Sequence, residues 1–228
     1  MSIDALMPAD RPAEDASLDD LRLRLAPLLA DAAVFDGWSA EAIRSAAAQA
    51  GVDADVAAYA FRGGAMEMIA AWIASVDVAM ARALPRAELA ALPVRERIRR
   101  LVLARLDAIA GQEEALSRAM AIMALPQNVA RALKLGWHSA DVMWRLAGDT
   151  ATDYNHYTKR TILAGVYGAT LAVFADDHSA GKADTHAFLE RRIAGIMRFE
   201  KTKAQLLRPV DERFSMARFL GRLRYPAK

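Results

Sequence analysis

Apolar residues return every three or four positions along most of this chain, and few β-branched runs interrupt them. Leu18, Leu21, Leu25, Leu28 and Leu29 set the rhythm, which predicts a first helix running to about Phe35, with Pro27 as a kink inside it. Gly37-Trp38-Ser39 breaks the pattern. Ser39, with Glu41 just beyond, predicts the start of a second helix through Gln49, and Gly51 predicts its end. A short third helix follows from about Asp53 to Phe61. Gly63-Gly64 separates it from a long helix through Met80 that stops before Pro85. Five more helices read as 94–110, 113–125, 127–147, 154–175 and 184–199, each bounded by Pro, Gly or a capping residue. From Phe199 the pattern fades through Pro209, which reads as a hinge. It returns after Asp211, with Met216, Phe219, Leu220 and Leu223 on one helical face.

These elements predict an all-α protein of four segments. Residues 1–16, with Pro8, Pro12 and mixed charge, read as a disordered N-terminus. Residues 17–84 form a helix-turn-helix-like subdomain and its connector helix, because helix, turn at Gly51, short helix and long connector have that spacing. Residues 85–199 form a C-terminal bundle, and residues 200–228 a linker with a terminal helix. At 228 residues the chain is long enough for a sizeable core.

Charge sharpens this picture. The net charge of +2 conceals nine Lys or Arg against three Asp or Glu in residues 198–228, an excess of six that leaves −4 for the other 197 residues. The positive charge therefore sits in the tail. Arg213, Arg218, Arg222 and Arg224 lie largely off the apolar stripe of the last helix. Such a helix suits an anionic membrane surface, each cation contributing on the order of 1 kcal/mol. Docking on its own domain is the alternative. With no cysteine in the chain, disulfides, thiolate metal sites and a Cys nucleophile are excluded. No window approaches the roughly 20 apolar residues of a membrane span. The acidic N-terminus, without an apolar core region, reads as neither a secretory nor a mitochondrial leader, so a bacterial cytoplasmic protein is expected.

Catalytic and metal-site motifs are missing. His138, His156, His178 and His186 show no paired ligand spacing, and Asp176-Asp177-His178 reads as a solvated turn. Gly181-Lys182 lacks the rest of a phosphate loop. A non-enzymatic protein without cofactor or metal is expected. DNA reading is disfavoured as well. The third helix opens with Asp53 and Asp55 and offers no cation before Arg62, although phosphate contact rests largely on cations. The C-terminal bundle instead gathers Met120, Met123, Trp137, Met143, Trp144, Leu146, Tyr167 and Phe174. Flexible thioethers and aromatics fit a variable apolar ligand. Taken on periodicity alone, these residues favour packed core over a pocket.

The run AGDTATDYNHYTKRTILAGVY, Ala147 to Tyr167, has too many polar and aromatic residues for a helix start. Gly148-Asp149 makes a turn, and Thr152 or Asp153 supplies a cap. Asn155, Tyr157, Lys159 and Arg160 are left without a structural duty. Gly148-Asp149, Thr152-Asp153, Asn155, Tyr157-Thr158-Lys159-Arg160, Leu163 and Tyr167 resemble the C-terminal signature of the COQ9 proteins of ubiquinone biosynthesis. The likeness continues through Asp184-Thr185, Phe188-Leu189 and Arg191-Arg192-Ile193, and reaches back to Pro126, Asn128 and Ala132-Leu133. One position departs: His156 stands where the family usually carries Trp. Independently, AAAQAGVDADVAAYAF resembles the N-terminal domain of TetR-type regulators, a fold that COQ9 proteins share.

The resemblance implies an all-α, TetR-like helical bundle that dimerises through helices 154–175 and 184–199. It reverses the balance at the Met- and Trp-rich bundle, from core to lipid pocket. It also implies a patch that docks a quinone-ring hydroxylase, drawn from Asp153, His156, Tyr157 and Arg160, and a membrane-seeking terminal helix carrying Met216, Arg218, Phe219, Leu220, Arg222 and Leu223. The implied ligand is an isoprenoid quinone precursor or a phospholipid, and the expected site is the membrane surface. A ligand-responsive transcription regulator is the alternative function.

Overall fold

The computed structural model describes residues 17–150 and 154–206, with side chains from 17–150 and 156–196. The expected N-terminal segment 1–16 and the terminal helix at 211–224 lie outside the described residues, as does Asp153. The order is α1 (Leu18–Asp36), α2 (Ala40–Ala50), α3 (Ala54–Ala60), α4 (Ala65–Ala83), α5 (Arg86–Ala90), α6 (Val94–Asp107), α7 (Glu113–Met123), α8 (Val129–Leu146), α9 (Tyr154–Asp176) and α10 (Ala183–Leu206), with a 3₁₀ turn at Ala180–Lys182. The described residues contain no strand. By contacts the chain divides into Met1–Glu190 and Arg191–Lys228, the second unit beginning within α10.

Local chemistry sets the first three helices. Ser17 and Asp20 form a reciprocal capping box at α1, the hydroxyl accepting from Asp20 N–H at 3.2 Å and the carboxylate from Ser17 N–H at 3.1 Å. Ser39 caps α2, and Asp53 caps α3 by accepting from Asp55 and Val56 N–H at 2.9 and 3.1 Å. Gly51 closes α2 in the left-handed region at φ 64°. Pro27 lies inside α1 without ending it. α3 and α4 are bent by 88° at the Gly63-Gly64 break.

α1 packs on α2 and α4, α8 packs on α9, and α4 reaches α6, α7 and α8. The role of α4 as a pillar follows from its composition: Met66, Met68, Ile69, Ala71, Trp72, Val76, Val78 and Met80 are all buried, with Asp77 among them. Two indoles join the N-terminal helices to the bundle. Trp38 Nε1 donates to the Ala115 carbonyl at 3.0 Å, and its ring lies 5.3 Å from that of Trp72. Trp72 Nε1 donates to Gln112 Oε1 at 3.1 Å, and Gln112 Nε2 donates to Asp31 Oδ1 at 2.6 Å.

Three local expectations need correcting. α5 has five residues, too few to carry a helical period, and was not foreseen. α10 runs on to Leu206 through the expected hinge at Phe199, because the segment Glu200–Leu206 is polar but made largely of good helix formers. Asp177 is buried rather than part of a solvated turn. Its carboxylate accepts from Ser179 N–H and Oγ at 2.8 and 2.6 Å, and from Thr185 N–H and Oγ1 at 2.8 and 2.6 Å. Those four hydrogen bonds tie the start of α10 to the end of α9 and hold the Asp177 carboxyl well below its ordinary range.

Candidate functional site

A cavity of about 660 Å³ lies among α4, α6, α7, α8 and α9. α4 contributes Trp72, Ile73 and Val76, and α7 contributes Leu116, Met120 and Met123. α8 lends Val129, Leu133, Gly136, Trp137 and Ser139, while α9 lends Thr161, Ala164, Gly165, Tyr167 and Gly168. The volume falls within the roughly 300–1,000 Å³ typical of small-ligand sites. One side of the wall is open to solvent, where Leu133 is 70% exposed and Val129 41%. An apolar side chain that exposed is left uncovered by the described residues.

A buried ion pair backs the wall. Arg105 of α6 is 1% exposed and pairs with Asp77 of α4, itself fully buried. Arg105 Nη2 donates to Ser139 Oγ at 3.1 Å, and the Tyr167 ring covers the guanidinium at 4.9 Å. Burial alone would lower the Arg105 pKa, but Tyr167 and Asp77 outweigh it and hold the value above normal. The group is permanently a cation. Asp77 Oδ2 and Arg105 Nε have no hydrogen-bond partner among the described residues. Neither Asp77 nor Arg105 was singled out from sequence. The available signal was a lone charge inside the apolar run Ser75-Val76-Asp77-Val78-Ala79-Met80.

Of the eight residues expected to bind lipid, Met120, Met123, Trp137 and Tyr167 line the cavity. Met143, Leu146 and Phe174 are instead buried core side chains away from its wall. Trp144 is engaged by the next feature: its Nε1 donates to the Lys159 carbonyl at 3.1 Å, and Lys159 Nζ lies 5.3 Å from its ring centre.

That feature is a cluster of ions joining α8 to α9. Arg160, 1% exposed, donates from Nε to Asp141 Oδ1 at 2.5 Å and from Nη1 to Asp149 Oδ2 and the His156 carbonyl, both at 3.1 Å. Lys159 Nζ donates to Asp149 Oδ1 at 2.7 Å, and Arg145 pairs with Asp141 at 2.8 Å. Burial acts to raise the pKa of both carboxyls. Hydrogen bonds from Lys159 and Arg160 at Asp149, and from Arg160 with the Arg145 charge at Asp141, reverse this and hold both low. The family resemblance implied Arg160 as a charged partner contact. It is instead the buried centre of the cluster, because two carboxylates from α8 and the following turn draw it inward. Within the expected patch, Tyr157 stands out to solvent at 62%, its ring 5.2 Å from that of His156 and 6.0 Å from that of Trp137. Trp137 lines the cavity, so the exposed tyrosine adjoins the cavity wall. Asp153 and the set Met216, Arg218, Phe219, Leu220, Arg222 and Leu223 lie outside the described residues. No group of three His, Asp or Glu side chains gathers as a metal site among the described residues, and no single described helix is long and apolar enough to cross a membrane.

The fold is similar to that of a TetR transcriptional regulator from Nitrosomonas europaea, with a TM-score of 0.60 at 22% identity over 76% of this chain and 96% of that one. The COQ9 family model matches residues 129–200, which take in α8, the ion cluster and α9. The rat protein named "Ubiquinone biosynthesis protein COQ9, mitochondrial" is 34% identical over 177 residues, 75% of this chain and 56% of its own length. The human protein of that name is 33% identical over 177 residues, 75% and 55% respectively. The Dictyostelium discoideum protein named as a probable coq9 is 24% identical over 173 residues, covering 73% and 56%. This chain thus spans about half the length of the curated relatives it matches. With a family model matched over residues 129–200 and this identity extending over three quarters of the chain, the protein belongs to the COQ9 family.

Proposed function

We propose that this protein is a non-enzymatic accessory factor of ubiquinone biosynthesis that takes a polyprenylated quinone precursor into the cavity and presents it to a ring-modifying hydroxylase. The cavity carries the reading: about 660 Å³ with mainly apolar walls, open beside Leu133 and adjoining the exposed Tyr157 through Trp137. A long isoprenoid tail lies in the bilayer, out of reach of a soluble active site. Burying it in an apolar cavity offsets its extraction at about 25 cal/mol per Å². Tyr157 is the anchor for the partner enzyme, and the Arg160 cluster beneath it fixes the start of α9. The basic stripe at residues 211–224 serves as the membrane contact.

A homodimer completes the proposal. Thr161, Gly165, Gly168, Ala172 and Asp176 recur along α9 at steps of three and four, and all are exposed. A face so poor in bulky side chains lets a second helix approach closely. Native mass spectrometry followed by organic extraction tests the whole reading. A dimer carrying about one isoprenoid or phospholipid per chain is the expected result. A dimer that stays empty when isolated in the presence of membranes would overturn the carrier role.

A further inference from the structure

The cavity offers room for a chain and no seat for a polar ring. Its hydroxyls and ions are spent on the protein itself. Ser139 Oγ accepts from Arg105 Nη2 at 3.1 Å, Thr161 Oγ1 donates to the Tyr157 carbonyl at 3.0 Å, and Tyr167 lies against the Arg105 guanidinium. The buried atoms without a partner, Asp77 Oδ2 and Arg105 Nε, have essentially no accessible surface, so a ligand does not reach them. Ring oxygens drawn inside would lose their water and gain no partner, at a cost of about 1–3 kcal/mol each. An apolar chain gives up no hydrogen bond. Gly136, Gly165 and Gly168 widen the space for its methyl branches, since an added Cβ at each meets nothing within 4 Å.

Volume then sets how much chain enters. An apolar cavity of about 150 Å³ takes up benzene, which is about 25 Å³ per carbon atom. At that packing, about 660 Å³ accommodates on the order of 26 carbons. We propose that the cavity measures tail length: it takes up about five isoprene units, and the ring, with any tail beyond that length, stays at the rim beside Trp137 and Tyr157. This deepens the carrier reading and rests on it. The ring is left where a partner enzyme can reach it, and affinity becomes a property of the tail rather than of the ring's substituents.

Displacement of an environment-sensitive apolar fluorophore from the full-length protein tests the inference with prenyl diphosphates of two to eight units, whose charged heads keep long tails soluble. Each added unit up to five is expected to lower the half-displacing concentration by about tenfold or more, as burial of its carbons requires. From five to eight units the whole further gain should stay below about threefold, because the surplus carbons remain in water. Two rings on one four-unit tail, a neutral benzoquinone and a charged hydroxybenzoate, should agree within about threefold, since drawing the charge inside would separate them far more. Gly136→Leu fills the space of about four carbons and should bring the plateau down to about four units. A gain that continues steadily to eight units, a plateau at two or three, a more than tenfold preference between the two rings, or a plateau that Gly136→Leu leaves in place would each overturn the length measure while leaving an apolar carrier. Failure of every compound to displace the probe would remove the carrier reading with it.

Discussion

Arg105 and Arg160 are both 1% exposed, and both are held by buried carboxylates. Arg160 is saturated by Asp141, Asp149 and a carbonyl, and so reads as structural. Replacing it with Met would leave Asp141 to Arg145 alone and Asp149 to Lys159 alone, and a loss of about 1–3 kcal/mol in urea unfolding is expected. The cluster should also be visible in pH. Asp141 and Asp149 have folded pKa values below their ordinary 3.8. Their contribution is therefore complete above about pH 4 and is lost as pH falls through the lowered values. The urea midpoint of Asp149→Asn should lie below wild type at pH 7, with the gap closing toward pH 2. Tyr157→Ala works the other way round. At 62% exposure it should change stability by no more than about 0.5 kcal/mol, while under the proposed docking role it weakens binding of the hydroxylase by about 2 kcal/mol in calorimetry. Sequence singled out Tyr157 and Arg160 together as contacts. Nothing in the chain's period links Arg160 to Asp141, nineteen residues away, so its burial became visible only in three dimensions.

Helix boundaries were the most legible features, because they are written in contacts three or four residues apart. Ser39, Gly51 and Asp53 act where their chemistry placed them. What the sequence hid was support from afar. Arg97 of α6 donates to the carbonyls of Ala90, Leu92 and Ala147, holding the C-terminal end of α8 and the turn after α5 from another helix. Beside it, Gly148 has φ 87°, and an added Cβ would lie 3.3 Å from Arg97 Nη1. Gly148→Ala should therefore cost about 1–2 kcal/mol, read from its unfolding midpoint, from the left-handed backbone alone. At α3 the exposed positions Asp53, Asp55, Val56 and Tyr59 offer no cation before Arg62, whose guanidinium lies 5.2 Å from the Tyr59 ring centre. Salt-sensitive duplex binding, as a regulator of this fold would give, is not expected in a mobility-shift assay at about 50 mM salt. A shifted band that weakens with added salt would revive the regulator reading.

At the scale of the molecule, periodicity could not separate pocket from core. A wall residue and a packed residue obey the same three-four spacing. Met120 and Met143 belong to one Met-rich cluster in sequence, yet one faces the cavity and the other is fully buried. The two functions of such residues diverge only when the cavity is filled. Gly136 lies on the cavity wall within α8, and a Cβ added there meets nothing within 4 Å. Gly136→Leu should therefore strengthen the helix by about 1 kcal/mol and raise the melting temperature of the empty protein. Under the carrier reading, a lipid at a hundred times its Kd would stabilise wild type by about 2.7 kcal/mol. For a domain of this size that is a rise of about 5–10 °C. In the variant the leucine occupies part of the ligand's space, so the lipid-induced rise should shrink to a small fraction of that. A residue in an ordinary core would give neither response. A higher melting temperature when empty, combined with a smaller gain when loaded, is the signature of a wall that exists to be filled by something other than the protein itself.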